Sequence, residues 1–159
     1  DTDPGVIAAT SDDPGATVAF ADTDWAEELA AQDEYSQYFI AELDGRPIGA
    51  MQICAPHLEA GRYWGHIAPN LRAIDIWMGS ADDRGKGYGA TMMRLALDRC
   101  FADSRVTAVV IDPLASNERA QRFYRRLGFK PIGRRSFGDD DCLVHALTRQ
   151  DWQASKERQ

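Results

Sequence analysis

Residues 72–101 read RAIDIWMGSADDRGKGYGATMMRLALDRCF, and the reading of the whole chain turns on this stretch. Arg72 to Gly79 alternates apolar and polar side chains as a half-buried strand does. From about Tyr88 to Phe101 the period lengthens to that of a helix, with Met93, Leu97, Cys100 and Phe101 on one face. Between them lies Arg84-Gly85-Lys86-Gly87-Tyr88-Gly89. Its backbone N–H groups sit where a strand ends and a helix begins, at the positive end of the helix dipole. Glycines let such a backbone approach a diphosphate closely, and Arg84 and Lys86 add charge. A structural turn or a nucleotide loop shares this composition, and two nucleotide loops can be compared directly. A Walker loop needs Ser or Thr after its Gly-Lys, whereas Gly87 follows Lys86; a dinucleotide loop follows the first strand of a βαβ unit. Here the loop follows antiparallel strands, although Asp103 stands at about the distance of the ribose-binding acid.

Upstream, YFIAEL and PIGAMQICA flank Asp44-Gly45 between Tyr38 and Ala55, which predicts a two-stranded hairpin. A short segment near Tyr63-Trp64 precedes the alternating strand. Downstream, VTAVVI at Val106 to Ile111 is a β-branched run suited to a central strand covered on both faces. Ser116 or Asn117 can cap the next helix, whose Ala120, Phe123, Tyr124 and Leu127 share a face, and Gly128 stops it. Two strands close the chain, about Lys130 to Ser136 and Cys142 to Leu147, around an acidic turn Gly138-Asp139-Asp140-Asp141. At the start, Asp3-Pro4-Gly5 and Asp12-Asp13-Pro14-Gly15 make residues 1–23 irregular, with at most an incomplete first strand. Asp24 can cap a short helix through Ala31 that carries Trp25 and Leu29. The chain does not open on Met, so it is expected to begin downstream of the natural start. The order α, β, β, β, α, β, α, β, β predicts an α/β (α+β) fold, a mixed and mostly antiparallel sheet with flanking helices. No repeat or second domain is evident, so residues 1–159 are expected to form a single domain.

Composition narrows the function. The 159 residues hold 18 Lys plus Arg against 25 Asp plus Glu, a net charge of −7. That balance argues against nucleic acid or anionic membranes and suits a cationic partner, though acidity also serves solubility. Cys54, Cys100 and Cys142 are far apart, without a CxxC pair or a nearby His, so no metal site and no disulfide framework is expected. Each lies in an apolar run, as a core cysteine of a reduced, cytoplasmic protein would. No stretch has the length of a membrane span or the layout of a signal peptide.

Two motifs resemble the GNAT acetyltransferase family. Its acetyl-CoA loop reads Arg or Gln, two residues, Gly, one residue, Gly or Ala, as Arg84, Gly87 and Gly89 do. The second is a central strand, then Asn117, then a helix with Tyr124 seven residues on, then Leu127-Gly128-Phe129. The resemblance covers about residues 38–149. It implies acetyl-CoA as co-substrate, held by Trp77, Met78, Arg84, Gly85, Lys86, Gly87, Tyr88, Gly89 and Asn117. It also implies a central strand pair that splays to admit the pantetheine arm, in a protein that is a monomer or a homodimer.

Acyl transfer to an amine needs a neutral nucleophile, donors for the developing oxyanion and an acid at the departing sulfur. A lysine-like amine with a pKa near ~10.4 costs about 4 kcal/mol to deprotonate at neutral pH. Asp75 alternates with Ile74 and Ile76, so it lies either on a solvated sheet face or in a cleft. There it could receive that proton or hold the amine. An ordinary carboxylate with a pKa near ~3.9 is a weak base, so its effect is mainly electrostatic, with water carrying the proton. By spacing Tyr124 reads as a core aromatic; the family's Tyr at this helix position makes it the candidate acid. A backbone N–H at Trp77 or Met78 is the oxyanion candidate.

Within the family, three segments are most similar to aminoglycoside 6'-N-acetyltransferases: RAIDIWMG with Asp75, IDPLASNERAQRFY with Asp112, Asn117 and Tyr124, and the acidic turn with Asp139. This resemblance implies that Asp75, Asp112 and Asp139 bind the ammonium groups of a polycation, lined by Tyr63 and Trp64. Taken alone, Asp112 reads equally as a turn residue before Pro113, and Asp139 to Asp141 as a solvated hairpin turn. Other readings are acetylation of a siderophore-precursor amine, polyamine, lysine or peptide N-terminus, and a non-catalytic acyl-CoA sensor. A His stands at the Asp75 position in the siderophore branch, and a sensor needs no acid or acceptor.

Overall fold

The Asp44-Gly45 turn forms as its chemistry requires: both residues adopt left-handed backbone, with φ of 52° and 78°. In the computed structural model, which describes residues 9–12, 25–30 and 35–157, this turn joins β1 (Ser36–Leu43) to β2 (Arg46–Cys54). The strands pair antiparallel, with a register shift between Ala41 and Glu42. β3 (Leu71–Met78) lies antiparallel on the other side of β2.

Register decides what each face carries. Tyr38 is opposite Gln52, and Gln52 is opposite Asp75, so these three polar residues share one face of β1, β2 and β3. Gln52 Nε2 donates to Ser36 Oγ at 2.6 Å and to the Tyr38 hydroxyl at 3.0 Å. The opposite face carries Met51, Ile53 and Ile74 and packs against α2 (Tyr88–Ala102). Met93, Leu97, Cys100 and Phe101 of α2 are buried, as the periodicity predicts, and Met92 and Ala96 join them. Full burial of Met93 or Leu97 stabilises the fold by roughly 1.5–3 kcal/mol each.

Strand neighbours run β1-β2-β3-β4-β6-β5, where β4 is Ala108–Ile111, β5 Lys130–Phe137 and β6 Asp140–Thr148. This six-stranded sheet with helices matches the expected mixed, mostly antiparallel class. By packing, the chain forms two compact units, Trp25–Val109 and Val110–Gln159 with the described part of Asp1–Asp24. The helix foreseen near residue 25 is α1 (Trp25–Ala30); its supposed cap, Asp24, lies outside the described residues, as do most of the irregular 1–23.

Three expectations need correction. β4 is shorter than the VTAVVI run: Val106 is fully buried but precedes the strand, and Thr107 N–H is spent on Asn70 O. The closing hairpin turns at Gly138-Asp139, leaving Asp140 and Asp141 inside β6 rather than in the turn. A final helix, α4 (Arg149–Lys156), was not foreseen because Trp152 is its one large apolar residue. Its start was nevertheless written in the sequence: Thr148 Oγ1 accepts from Asp151 N at 3.1 Å, a cap at N-terminal spacing.

The cysteines are free and buried, and burial pushes the Cys100 and Cys142 thiols up to about 12. His145 on β6 is also fully buried. Its Nδ1 lies 2.7 Å from Leu143 O, an acceptor only, so Nδ1 carries the proton. Among the described residues, Nε2 has no hydrogen-bond partner. Burial first, and Arg125 second, hold this imidazole below its ordinary range, against the opposing pull of the Leu143 carbonyl. The unfolded chain therefore takes up a proton that the folded chain refuses, so stability falls as pH drops below about 6.5. The effect is at most about 2 kcal/mol at pH 5. Thermal unfolding between pH 7 and 5 should show this slope in the wild type and a flatter one in His145→Asn.

Candidate functional site

β3 hands the chain to α2 through a 3-10 turn at Ala81–Asp83 and then the glycine loop. Ser80 caps the turn by accepting from Asp82 N at 3.1 Å. Gly85 and Gly87 have φ of 77° and 88°, so the loop uses backbone that other residues enter only at a cost of roughly 1–2 kcal/mol. A Cβ at either glycine would meet open space, so conformation, not crowding, requires glycine there. Gly87 is the N-cap of α2 and supplies no side chain; its carbonyl accepts from Ala90 N and Thr91 N. The N–H groups of Tyr88 and Gly89 in the first turn consequently lack intrahelical acceptors and point forward from the helix start. Lys86 and Gly85 are exposed, and Arg84 is half-buried. The helix start thus presents free first-turn N–H groups with the cationic Arg84 and Lys86 just before it, an arrangement with the chemistry of an anion cradle.

The strand leading to it is positioned by register. Gly79 N–H bonds Ile48 O at 3.0 Å, one step beyond the pairing of Gly49 with Met78. Antiparallel alternation then directs the Trp77 amide toward β2 and the Met78 amide away from it. Of the two oxyanion candidates, Met78 has the outward N–H. Gly49 is required by close approach: an added Cβ would lie 2.5 Å from Trp77 O. Asp75, two residues before Trp77, is half-buried on the polar face beside Gln52.

The second unit gathers other residues. Asn117 Oδ1 accepts from Ala120 N at 3.0 Å and caps α3 (Glu118–Arg126), while Nδ2 donates to Ala9 O at 3.2 Å. Of the two possible caps the structure selects Asn117. Tyr124 is half-buried, its ring edge-on to Phe123 at 5.1 Å and to Phe129 at 5.9 Å. Both neighbours fix the phenol's direction. The buried side chain of α3 is Gln121, whose Nε2 donates to Leu114 O at 3.2 Å and Ala115 O at 2.9 Å. Together with Leu143 N to Pro113 O and Ala115 N to Asp141 O, it stitches the 112–117 loop down.

Carboxylates cluster around Cys142. After burial, Asp112, Asp140, Asp12 and Asp141 raise its thiol. Asp12 N–H and Ser11 Oγ each donate to Asp140 at 2.8 Å, and Ser116 Oγ donates to Asp12 at 2.8 Å. Asp141 also pairs with Arg134. Asp139 stands apart, exposed at the hairpin tip. The aromatic pair is divided too: Tyr63 is 47% exposed, whereas Trp64 is 5% exposed and meets the Tyr63 ring edge-on at 6.0 Å. Asp12 and Gln121 escaped sequence reading, because tertiary folding alone brings residue 12 to residue 140. Gln121 did carry a weak signal, a polar residue on the helix one turn after the cap.

Residues 9–137 match the Acetyltransferase (GNAT) domain. The chain belongs to the GNAT acetyltransferase family. It is an acetyltransferase, with acetyl-CoA as co-substrate. The aminoglycoside N(6')-acetyltransferase type 1 of Klebsiella pneumoniae is 30% identical over 141 residues, 88% of this chain and 70% of that protein. The kanamycin resistance protein of Rhizobium radiobacter is 34% identical over 100 residues, 62% of this chain and 93% of that protein. Among solved structures, aminoglycoside acetyltransferase AAC(6')-Ib in complex with coenzyme A and kanamycin superposes with a TM-score of 0.71 at 32% identity. The match covers 82% of this chain and 75% of that one. A spermidine/spermine N-acetyltransferase of Vibrio cholerae, at 15% identity and a TM-score of 0.62, shares the fold alone. Among the described residues of this acetyltransferase, no group of acids, His and Cys could hold a metal, and no helix could cross a membrane.

Replacing Gln121 with Met would leave the carbonyls of Leu114 and Ala115 without their donor. A stability loss of roughly 1–3 kcal/mol is expected in chemical denaturation; a loss under about half a kilocalorie would mean that water serves them equally well.

Proposed function

We propose that this acetyltransferase transfers the acetyl group of acetyl-CoA to the 6'-amine of aminoglycosides, which inactivates such drugs. The observation that carries the substrate half is the meeting of Asp12 with Asp140 at 2.8 Å, at the start of β6, where Ala115 N to Asp141 O and Leu143 N to Pro113 O hold the loop that begins at Asp112. Several partly buried carboxylates attract a small molecule bearing several ammonium groups far more than they would a neutral amine. The names of the relatives, a 6'-N-acetyltransferase and a kanamycin resistance protein, support the same reading.

In this reading the cradle from Arg84 to Gly89 grips the diphosphate, and the pantetheine arm runs along β3 past Met78 and Trp77, with Asn117 lending the second cofactor contact. Asp75 attracts the substrate ammonium, and its proton leaves to water. The neutral amine nitrogen bonds to the thioester carbonyl carbon, and the carbonyl oxygen becomes an oxyanion that Met78 N–H stabilises. The carbon–sulfur bond then breaks. Tyr124 donates its phenolic proton to the departing thiolate, and the excess proton of the acylated nitrogen passes through water to restore the phenol, giving an amide and the free thiol of coenzyme A. Tyr63 contributes an aromatic wall for the sugar rings, and Trp64 backs it from the core. Asp112, Asp12 and Asp140 hold the remaining ammonium groups, and Asp139 adds charge at the rim.

Thiol release, followed colorimetrically, tests this directly. Kanamycin-type drugs with a 6'-amine should release thiol and their 6'-hydroxyl analogues should not; silence with every aminoglycoside, or preference for spermidine, would reject the substrate. Asp75→Asn and Tyr124→Phe are each expected to lower kcat about a hundredfold while leaving coenzyme A affinity within about threefold. Equal losses in turnover and affinity would instead assign those residues to the fold.

A further inference from the structure

Between Gly79 and Gly87 the buried side chain is Asp83, 2% exposed. A buried carboxylate at the entry to a loop that receives an anion is costly in two ways. It loses hydration, and it repels the ligand. Arg46, the first residue of β2, answers both: its two terminal nitrogens reach the two oxygens of Asp83 at 2.8 Å each. Such a bidentate fork fixes direction as well as distance.

The pair's placement gives it more than a local effect. Asp83 ends the 3-10 turn, and the next four residues include both left-handed glycines. A segment with two glycines in five residues has high conformational freedom, and any ligand that needs one conformation must order it. At one end the loop continues into α2, and at the other Gly79 is tied to Ile48. Arg46 sets a third fixed point from the tip of the β1–β2 hairpin, beside the Asp44-Gly45 turn. Arg46 itself is 55% exposed, so it can be replaced without opening a core.

We propose that Arg46 and Asp83 are positioning residues for the acyl donor: their ion pair pre-organises the cradle and cancels a negative charge that would otherwise lie at the entry to the diphosphate's loop. The inference rests on the assignment of the cradle to that diphosphate. Asp83 is held below the usual carboxylate range, by its hydrogen bonds to Arg46 above all, so the pair is charged at neutral pH.

Calorimetric titration with coenzyme A and steady-state kinetics with two donors, acetyl-CoA and S-acetylpantetheine, test it. S-acetylpantetheine lacks the diphosphate. Arg46→Ala should weaken coenzyme A binding and raise the KM for acetyl-CoA about tenfold, because it leaves the buried carboxylate unpaired. The same variant should keep kcat/KM for S-acetylpantetheine within about twofold. Arg46→Lys, which keeps the charge but not the fork, should fall between. The double variant Arg46→Ala/Asp83→Asn should bind coenzyme A more tightly than Arg46→Ala alone, since the repelling charge is gone. Unchanged coenzyme A affinity in Arg46→Ala, or an equal loss with both donors, overturns the proposal. If the wild type itself fails to bind coenzyme A, the cradle's assignment falls and takes this inference with it.

Discussion

Left-handed backbone at Gly85 and Gly87 is the constraint around which the Trp25–Val109 unit is organised. A strand and a helix can meet through so few residues only if the chain reverses sharply, and positive φ at two glycines makes the reversal without a Cβ penalty. The consequence is a helix that starts uncapped, with forward-pointing N–H groups at the positive end of its dipole. Everything that anchors β3 and α2 therefore also shapes that opening. The apolar face of α2 lies on β2 and β3, Gly49 admits the Trp77 carbonyl, and Arg46 holds Asp83.

These anchors are unequal in kind. Burial of Met93 and Leu97 is strong but does not specify direction. Hydrogen bonds supply direction. Strand register sends the Met78 amide outward and the Trp77 amide inward, and a shift of one residue would exchange them and move Asp75 to the apolar face. A forked ion pair does the same for the loop. With Arg46 exposed, the pair adds little net stability, and its main effect is the direction it imposes.

In the unit built on Val110–Gln159 the equivalent organising element is polar. Gln121 and Asn117 use their amides to hold the 112–117 loop and the residues near Ala9, and this draws Asp12 to Asp140. There Asp140 accepts from Ser11 Oγ and Asp12 N–H, and Asp12 accepts from Ser116 Oγ, so hydrogen bonds from the chain itself hold these acids in place. Lys130 and Arg122 of this unit pair with Asp151 and Glu118, outside this group of acids, whereas Arg134 pairs with Asp141 within it. Cys142, amid those acids, stays a thiol.

The sequence by itself determined the hairpin, the strand–loop–helix at 72–101, a helix start at Ser116 or Asn117 and the apolar face of α2. Each rests on contacts within one element or across one turn, where local chemistry suffices. The GNAT assignment followed from two such local motifs. Tertiary structure alone decided which Asp residues meet: Asp140 rather than Asp139, and Asp12 from 128 residues away. It also decided that Trp64 turns inward while Tyr63 faces solvent, that Met78 has the outward amide, and that Arg46 finds Asp83 across a separation of 37 residues. The reason is physical. A side chain's residue type announces its charge or its hydrogen-bonding capacity, but its partner is set by strand register and loop path, which depend on the packing of the whole unit.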